Sequence, residues 1–144
     1  MSALHVVFKI GSAEYVLPAA EVLQMESYSG ATPVPGTPPY VAGLVQIRGR
    51  VVPVVDLRKR LGLAPAEPTM DTRILVAQAG DRTVGLLVDS GREVLKLSDE
   101  QFKPPPKLLA NQAEGLVKAI VQAGSRLLML LDFRKLIGEE PVHG

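Results

Sequence analysis

The stretch Asp56-Leu57-Arg58-Lys59-Arg60-Leu61-Gly62 recurs later in the chain as Asp132-Phe133-Arg134-Lys135-Leu136-Ile137-Gly138. In each copy an aspartate precedes a short run of helix-compatible residues, and a glycine ends the run. An aspartate carboxylate accepts the free amides at a helix start, and glycine adopts the left-handed conformation that ends a helix. Each copy therefore predicts a short capped helix, and the recurrence indicates one structural unit used twice.

The similarity between the two copies extends towards the N-terminus. The first copy follows Gly43-Leu44-Val45 and an apolar hairpin, and the second follows Gly115-Leu116-Val117 and another apolar hairpin. Both copies therefore predict the order strand, turn, strand, short helix. Pro53 lies in the second strand of the first hairpin, and its missing amide donor predicts that this strand is a sheet edge or carries a bulge.

Other segments also predict β-structure, because apolar runs of strand length flank short glycine-containing turns. These runs cover residues 4–10, 15–17, 73–79 and 83–88. The runs at 73–79 and 83–88 are rich in Val, Leu and Ile, so we expect both of their faces to be buried.

Local signals also predict helices and loops. Pro18 and the helix formers up to Met25 predict a short helix. The proline-rich stretch 27–39 predicts a loop. Ser98 and Gln101 have the spacing of a capping box, which predicts a helical turn, and the tail beyond residue 138 is expected to fray.

Composition limits the class of protein. The chain has 144 residues, of which 47% are hydrophobic and 22% charged, as expected for one globular domain or two very small units that share a core. A net charge of +1 and an aromatic content of 4% argue against a nucleic-acid partner. The absence of cysteine excludes disulfides, thiolate metal sites and a cysteine nucleophile. No apolar run approaches the roughly 18 residues of a membrane span, and the N-terminus lacks the pattern of a signal peptide, so we expect a cytoplasmic protein without membrane insertion.

Residues that could carry chemistry are sparse. The two histidines, His5 and His143, lie near the chain ends and without a partner at metal-ligand spacing, so no metal or cofactor is predicted. Asp56 and Asp132 could form a catalytic carboxylate pair, but their positions favour two helix caps. Asp89 is interpreted as a turn residue, and the run 58–60 as a solvated helix face.

Arg48 is the strongest single candidate for a functional role. It is predicted to lie in a strand between Ile47 and Gly49, where a long cation needs a carboxylate partner or a surface to contact. The alternative is an ordinary exposed strand position.

Residues 36–58 contain a proline and an aromatic residue before an apolar-Gly pair, then Arg-Gly, a Val-rich strand with a proline, and Asp-Leu-Arg. This stretch strongly resembles the signature of the CheW family of chemotaxis coupling proteins. The resemblance continues through residues 85–89, 94–95 and 115–116 and covers about residues 4–138.

The resemblance implies a mainly β fold of two small five-stranded β-barrels that pack together with short connecting helices. It implies a single domain over residues 1–144, with a first barrel over 12–70 and a second over 71–138, to which the N-terminal strand can contribute.

The implied function is that of a non-enzymatic adaptor. It would couple the cytoplasmic tips of chemoreceptors to the regulatory domain of a histidine autokinase, with recruitment to membrane receptor arrays and self-association within them. One alternative is the same role in a gliding, pilus or developmental pathway. The other is an enzyme or small-ligand binder that uses Asp56, Asp132 and Arg48 at a barrel mouth.

The resemblance also implies the residues that bind partners. Those on the receptor-facing surface would be Val22, Gln24, Met25, Gly43, Arg48, Gly85 and Val94. Gly115 would also bind a partner, and the resemblance does not specify whether that partner is the receptor or the kinase.

Gln24 stands where relatives often have a glutamate that can pair with Arg48. Glutamine lacks the charge-assisted hydrogen bond, so a weaker contact between helix and hairpin is implied. The alternatives are structural: Val22 and Met25 could form a helix face packed on the core, and Gly43 and Gly85 could reflect close backbone approach.

Overall fold

The computed structural model describes residues 1–107 and 115–138, and these residues form a mainly β fold. The strands are β1 Ser2–Ile10, β2 Ala13–Pro18, β3 Val22–Ser27, β4 Val41–Ile47, β5 Arg50–Asp56, β6 Arg73–Ala79, β7 Arg82–Val88, β8 Ser90–Ser98, β9 Phe102–Lys103, β10 Val117–Ala123 and β11 Arg126–Leu131. The helices are α1 Leu57–Arg60 and α2 Phe133–Leu136, and single 3-10 turns cover Ala19–Glu21 and Asp99–Gln101.

The strands form two sheets. The first sheet has five strands in the order β3-β6-β7-β5-β4, and the second has six strands within the described ranges, in the order β8-β1-β2-β11-β10-β9. The predicted mainly β class with short connecting helices is confirmed. The two five-stranded barrels expected from the resemblance correspond to a five-stranded sheet and a sheet with six described strands.

The chain does not divide between the two sheets at residue 70, where the first barrel was expected to end. Strands β6 and β7 belong to the first sheet, whereas β1 and β2 belong to the second. The parallel pairs β5 with β7 and β2 with β11 join segments that are far apart in sequence. Local sequence patterns carry no information about such pairings, so they do not predict which strands belong to which sheet.

The core consists of three clusters, because successive residues of a strand point to opposite faces. On β1, Phe8 packs in the cluster between the two sheets, while its neighbour Val7 packs inside the second sheet. Val54 and Ile74 lie in the third cluster, inside the first sheet. A fully buried side chain of this kind contributes about 1.5–3 kcal/mol, so the shared cluster fixes the two sheets against each other.

The repeated helix is confirmed in both copies. Asp56 Oδ1 accepts the Arg58 amide at 3.0 Å, and Asp132 Oδ1 accepts the Lys135 amide at 3.2 Å. The glycines that follow, Gly62 and Gly138, have φ values of +76° and +72°. Both aspartates are therefore helix caps.

Other local predictions are confirmed as well. The predicted loop is irregular from residue 28 to 39 apart from an isolated bridge at Thr32, whereas Ser27 is the last residue of β3. The amide of Ser98 donates to Gln101 Oε1 at 2.7 Å, at the start of the predicted helical turn. The strands β6 and β7 are buried over most of their length on both faces. The tail beyond residue 138, with His143, lies outside the described residues.

The helix predicted from Pro18 to Met25 is wrong. Only Ala19–Glu21 forms a single 3-10 turn, and Val22–Ser27 forms strand β3, whose residues alternate between half-buried and exposed. Pairing with β6 overrides the local helix preference of this segment.

Of the two alternatives for Pro53, the edge strand is wrong, but a bulge does lie beside it, because the β4–β5 register shifts between Val41 and Gly43. Strand β5 lies between β7 and β4. Pro53 immediately precedes the parallel ladder, which begins with Val54 opposite Gly85, so the proline sits at the end of that pairing. Strand β8, nine residues long, has no strong local signal and was not predicted as a strand.

The cations of α1 do not form a solvated face. Arg58 pairs with Asp89, and the Arg60 guanidinium lies 4.6 Å from the centre of the Tyr40 ring. Arg60 also donates from Nε to the Leu136 carbonyl at 2.8 Å, so the first repeated helix holds the end of the second. The interpretation as a solvated face is therefore wrong for Arg58 and Arg60.

Candidate binding groove between the two sheets

An open groove lies where the edge of the first sheet faces the edge of the second. Its walls are the edge strands β3 and β8, and β1 contributes to its floor. The groove has a volume of about 340 Å³. Its lining residues are Val6, Val22, Leu23, Gln24, Met25, Gly91, Glu93 and Val94.

The groove presents apolar side chains to solvent. Leu23 is 48% exposed, Met25 41% and Val94 55%. Aliphatic residues grouped in this way on the surface of a folded domain mark an interaction site more often than scattered ones do. This arrangement can bind an apolar helix face or strand.

Four of the eight sequence-derived site residues meet in this groove: Val22, Gln24, Met25 and Val94. The groove also contains Val6, Leu23, Gly91 and Glu93, which sequence reasoning missed. The alternation of β3 could have indicated Leu23, had the segment been interpreted as a strand. The others depend on the pairing of β1 with β8, which the sequence does not reveal.

Met25 and Gly91 connect the two walls. A Cβ atom at Gly91 would overlap the Met25 sulfur, so the glycine gives the methionine room to cross from the first sheet to the second. Methionine is flexible and polarizable, which suits a surface that adapts to a partner.

Arg48 contacts the strand that forms one wall. Its Nε lies 3.6 Å from Glu26 Oε2, and Gln24 Nε2 donates to the same oxygen at 2.7 Å. The predicted carboxylate partner therefore exists, but Glu26 supplies it and Gln24 supports it. Because the Arg48 side chain is 76% exposed, this pair contributes no more than about 1 kcal/mol.

Arg48 does not lie in a strand, so that prediction is wrong. Arg48 and Gly49 form a two-residue turn between the paired residues Ile47 and Arg50, and both have positive φ, +50° at Arg48. Such turns favour Asn-Gly, and a larger side chain in the left-handed region costs about 1 kcal/mol. A strained, exposed cation at a turn suggests a role other than stability.

Gly43, Gly85 and Gly115 do not line the groove. At Gly43, with φ of +141°, a Cβ would overlap the Thr32 carbonyl oxygen, and Thr32 and Leu44 exchange two backbone hydrogen bonds of 2.8 Å. The proline-rich loop therefore crosses β4 at this glycine, as the close-approach alternative predicts.

Gly85 and Gly115 have separate surroundings. A Cβ at Gly85 would lie 2.7 Å from Ile74 Cγ2, inside the first sheet. Gly115, with φ of +59°, lies near the Lys135 ammonium beside α2. Neither glycine lines the groove, although Gly85 pairs with Val76 on β6, which in turn pairs with Gln24.

Glu93 is held in the groove wall by Arg126. Arg126 Nη2 donates to Glu14 Oε2 at 2.8 Å and to Glu93 Oε1 at 2.6 Å. These hydrogen bonds, first that to Glu14 and then that to Glu93, raise the pKa of Arg126 above its ordinary value. The carboxylates of Glu14 and Glu93 therefore share the Arg126 guanidinium.

Glu21 lies at the start of the same wall. Its Oε1 is buried without a hydrogen-bond partner in the structure, and burial raises the pKa of its carboxyl. The positive charge of Lys118 lowers the pKa of Glu21, and the negative charge of Asp132 raises it further. The Glu21 carboxylate, directly before β3, is therefore partly desolvated without a compensating hydrogen bond at Oε1.

The alternative chemistry has little support. Asp56 and Asp132 both cap helices, and His5 is buried, with its ring centre 5.2 Å from that of Phe102 and its Nδ1 3.1 Å from the Ala3 carbonyl oxygen. Over residues 1–107 and 115–138, no three His, Cys, Asp or Glu residues are grouped so as to hold a metal ion. None of the helices in these ranges has the length and apolar character needed to cross a membrane.

Known proteins are similar to this chain over most of its length. The probable chemotaxis protein CheW of Rhizobium etli is 33% identical over 134 residues, which cover 93% of this chain and 86% of that protein. The chemotaxis protein CheW of Bacillus subtilis is 33% identical over 135 residues, with 94% and 86% covered.

A solved structure is similar over nearly the whole chain. The scaffolding protein TtCheW from Thermoanaerobacter tengcongensis has a TM-score of 0.88 at 26% identity, with 96% of this chain and 94% of that chain covered. A family model described as the CheW-like domain matches residues 4–140. The resemblance stated from the sequence is thus confirmed, and the chain belongs to the CheW-like domain family.

Proposed function

We propose that this protein is a non-enzymatic adaptor that couples the cytoplasmic tips of chemoreceptors to the regulatory domain of a histidine autokinase. In this proposal the protein acts in the cytoplasm and is recruited to receptor arrays at the membrane. Family membership over residues 4–140 supports the class of function. The observation that carries the binding role is the exposed aliphatic groove between the two sheets.

The groove is the proposed receptor site. Leu23, Met25 and Val94 supply apolar area that is exposed in the free protein and would be covered by a partner. An amphipathic helix that lays its apolar face in such a groove is a common mode of peptide recognition. Arg48, held by Glu26 at the end of the same wall, would fix the register of the partner at the rim.

Apart from Arg48, the residues proposed for receptor contact from the sequence divide into two groups. Val22, Gln24, Met25 and Val94 would touch the partner directly, because they line the groove. Gly43 and Gly85 would act through the backbone and packing around them.

The kinase-facing surface is proposed to lie elsewhere, on the second sheet near Gly115 and the last hairpin. Leu127 on β11 is 67% exposed and offers apolar area there. Two separate surfaces allow one adaptor to join two partners. Weak contacts repeated in an array, including contacts between adaptors, then raise the effective concentration of each neighbour.

Co-sedimentation tests the proposal. The purified protein should pellet with a receptor signalling fragment and with the kinase, and Leu23→Asp or Val94→Asp should lower receptor binding at least tenfold by placing a charge in the apolar groove. Leu63→Asp is the matched control, because Leu63 is 39% exposed and lies outside the groove. An adaptor must bind both partners, so a wild-type protein that fails to bind the receptor fragment, the kinase or both would overturn the adaptor function.

The pathway is a separate question within the same proposal. An adaptor of a gliding, pilus or developmental receptor pathway would use the same groove. The receptor and kinase genes next to this one discriminate between the pathways, and co-sedimentation with each encoded receptor provides the biochemical check.

A further inference from the structure

The end of helix α2 is held by two arginines that belong to the other sheet's part of the chain. Arg60, the last residue of α1, donates from Nε to the Leu136 carbonyl at 2.8 Å and from Nη2 to the Lys135 carbonyl at 2.7 Å. Arg82, the first residue of β7, donates from Nη1 to the Gly138 carbonyl at 2.8 Å. We call these two arginines and the carbonyls that they bind the clamp.

The clamp joins the two sheets by directional bonds. Helix α2 follows β11 of the second sheet, whereas α1 follows β5 and Arg82 begins β7, both in the first sheet. The last carbonyls of a helix have no partner within the helix, and a guanidinium offers several N–H donors in a fixed planar arrangement. Each hydrogen bond of the clamp therefore ties the second sheet to the first in a defined geometry.

Tyr40 supports the clamp from the side of the first sheet. The Arg60 guanidinium carbon lies 4.6 Å from the centre of the Tyr40 ring, which is a cation–π contact. The Tyr40 carbonyl accepts the Asp56 amide at 2.7 Å, so Tyr40 is anchored to the end of β5. A Cβ at Gly138 would lie 3.0 Å from the Tyr40 hydroxyl oxygen, so this glycine lets the chain pass close to the ring.

The two copies of the repeat use the clamp position differently. Counted from the capping aspartates, Arg60 in the first copy corresponds to Leu136 in the second. Leu136 is fully buried in the cluster between the sheets. The same position thus fills the shared core in the second copy and binds the end of the other unit in the first.

The clamp adds a restraint that the shared core does not supply. Apolar burial is non-directional, so the cluster around Phe8 and Leu86 holds the sheets together without fixing the angle between them. Hydrogen bonds weaken steeply when they are misaligned, so the clamp does restrict this angle. Neither arginine lines the groove, whose walls are β3 of the first sheet and β8 of the second.

We propose that Arg60 and Arg82 are positioning residues that fix the angle between the two sheets and thereby the separation of the groove walls. Because β3 and β8 belong to different sheets, a change in this angle alters the groove. The effect on the groove is a property of the protein alone, whereas its consequence for receptor binding rests on the adaptor function. Without the clamp, only a fraction of the molecules has the groove at binding width, and the apparent affinity falls by that fraction.

Distances between two spin labels test the angle directly. The chain has no cysteine, so Ser27→Cys on β3 and Lys96→Cys on β8 supply the only two labelling sites. Both residues are exposed, and neither lines the groove. Double electron–electron resonance gives the distance distribution in this labelled parent, in Arg60→Ala with Arg82→Ala, and in Arg60→Lys with Arg82→Lys.

Arg50→Ala is the matched control, because Arg50 Nη2 bonds Thr83 Oγ1 at 3.3 Å within the first sheet. Parent and control should give the same narrow distribution, the alanine pair a broader or shifted one, and the lysine pair, which keeps a donor at each position, an intermediate one. Circular dichroism establishes that each variant is folded. If the alanine pair does not fold, the single variants Arg60→Ala and Arg82→Ala decide. A folded alanine variant with the parent's distribution overturns the proposal.

Binding of a receptor signalling fragment, measured by fluorescence anisotropy, separates this inference from the adaptor function. The alanine pair should bind about three- to tenfold more weakly than wild type, and the bound fragment should narrow its distance distribution. If the wild type binds the fragment but the alanine pair keeps the parent's distribution, the positioning role fails and the adaptor function stands. If the distribution broadens but the wild type does not bind, the adaptor function fails and the positioning role stands. Broadening with unchanged affinity would overturn the link between the clamp and binding.

Discussion

Arg58 and Asp89 form a two-point ion pair, with Nη2 2.6 Å from Oδ2 and Nε 3.0 Å from Oδ1. Asp89 is the single residue between β7 of the first sheet and β8 of the second, and its Oδ2 also accepts the Gly11 amide at 2.7 Å. Arg58 belongs to the helix that closes the first repeat. The pair therefore ties the first sheet to the chain crossing into the second sheet and to the β1–β2 turn.

Replacement of Asp89 by Asn should lower the free energy of unfolding by about 1–2 kcal/mol, because charge-assisted hydrogen bonds to Arg58 and Gly11 are weakened at a partly exposed site. Chemical denaturation at pH 7 measures the change. Asp81→Asn, in an exposed turn, should leave stability within about 0.5 kcal/mol of wild type. Equal effects of the two substitutions would show that the pair does not stabilise the fold.

The same pair should make stability depend on pH in acid. The hydrogen bonds from Arg58 hold the pKa of Asp89 below its ordinary value, and the Gly11 amide acts in the same direction. The unfolded chain therefore takes up the proton first, so the stabilisation is complete above about pH 4 and is lost as the pH falls through the lowered pKa. The stability difference between wild type and Asp89→Asn should be constant near neutral pH and shrink below about pH 4. A difference that stays constant into strong acid would contradict this assignment.

Arg48→Asn should separate binding from stability. Asparagine suits the left-handed turn position better than arginine does, so the free energy of unfolding should stay equal or rise by up to about 1 kcal/mol. Receptor binding should weaken, because the cation at the rim is lost. Arg50→Gln, at the same turn, is the control for general loss of charge. Loss of folding in Arg48→Asn would make the residue structural.

Gly43→Ala should release the proline-rich loop from β4. The new methyl group would overlap the Thr32 carbonyl, and the φ of +141° disfavours alanine in addition. We expect a loss of about 1–3 kcal/mol and weaker hydrogen-exchange protection of the Thr32 and Leu44 amides. Gly36→Ala, with φ of +81° and open space around it, isolates the backbone strain from the overlap. Unchanged protection at Thr32 would show that the loop shifts without leaving the strand.

Gly91→Ala should alter the groove without unfolding the protein. The new Cβ would displace only the flexible end of Met25, so stability should change little, while receptor binding should weaken because Met25 is moved into the groove. Met25→Ala removes the overlap, so the double variant should show smaller losses than the sum of the two single variants. Strict additivity would indicate that the two residues do not contact each other.

Glu21→Gln should stabilise the protein at neutral pH. Burial raises the pKa of Glu21, so the folded state binds the proton more tightly than the unfolded chain does. Wild-type stability should therefore fall as the pH rises through the raised pKa, and the neutral glutamine should abolish this loss. Thermal unfolding of both proteins between about pH 4 and 8 measures the effect. A variant less stable than wild type at pH 7 would mean that the ionised carboxylate has a favourable partner, such as Lys118.

Much of the local structure followed from the sequence because it depends on neighbours in the chain. Asp56 and Asp132 were predicted as caps since a carboxylate and the amides after it are close in any helix start. The hairpin turns were predicted for the same reason, since glycine reports a local backbone conformation.

The errors arose where distant segments decide the outcome. Residues 22–27 have a helix-compatible sequence, yet pairing with β6 makes them a strand. Arg58 and Arg60 resemble solvated residues until Asp89 and the end of α2 are brought to them by the fold. Glu26 could not be identified as the partner of Arg48 while the segment was assigned to a helix.

By itself, the sequence determined the family, the mainly β class, the repeated capped helix and four of the groove residues, because these depend on short-range chemistry and on a recognisable signature. Only the tertiary structure decided which strands share a sheet, that β3 and β8 face each other across a groove, and that Gly91 and Glu93 belong to it. The physical reason is that strand pairing and the packing of one sheet on another are set by contacts between residues remote in the chain, and no local pattern records them.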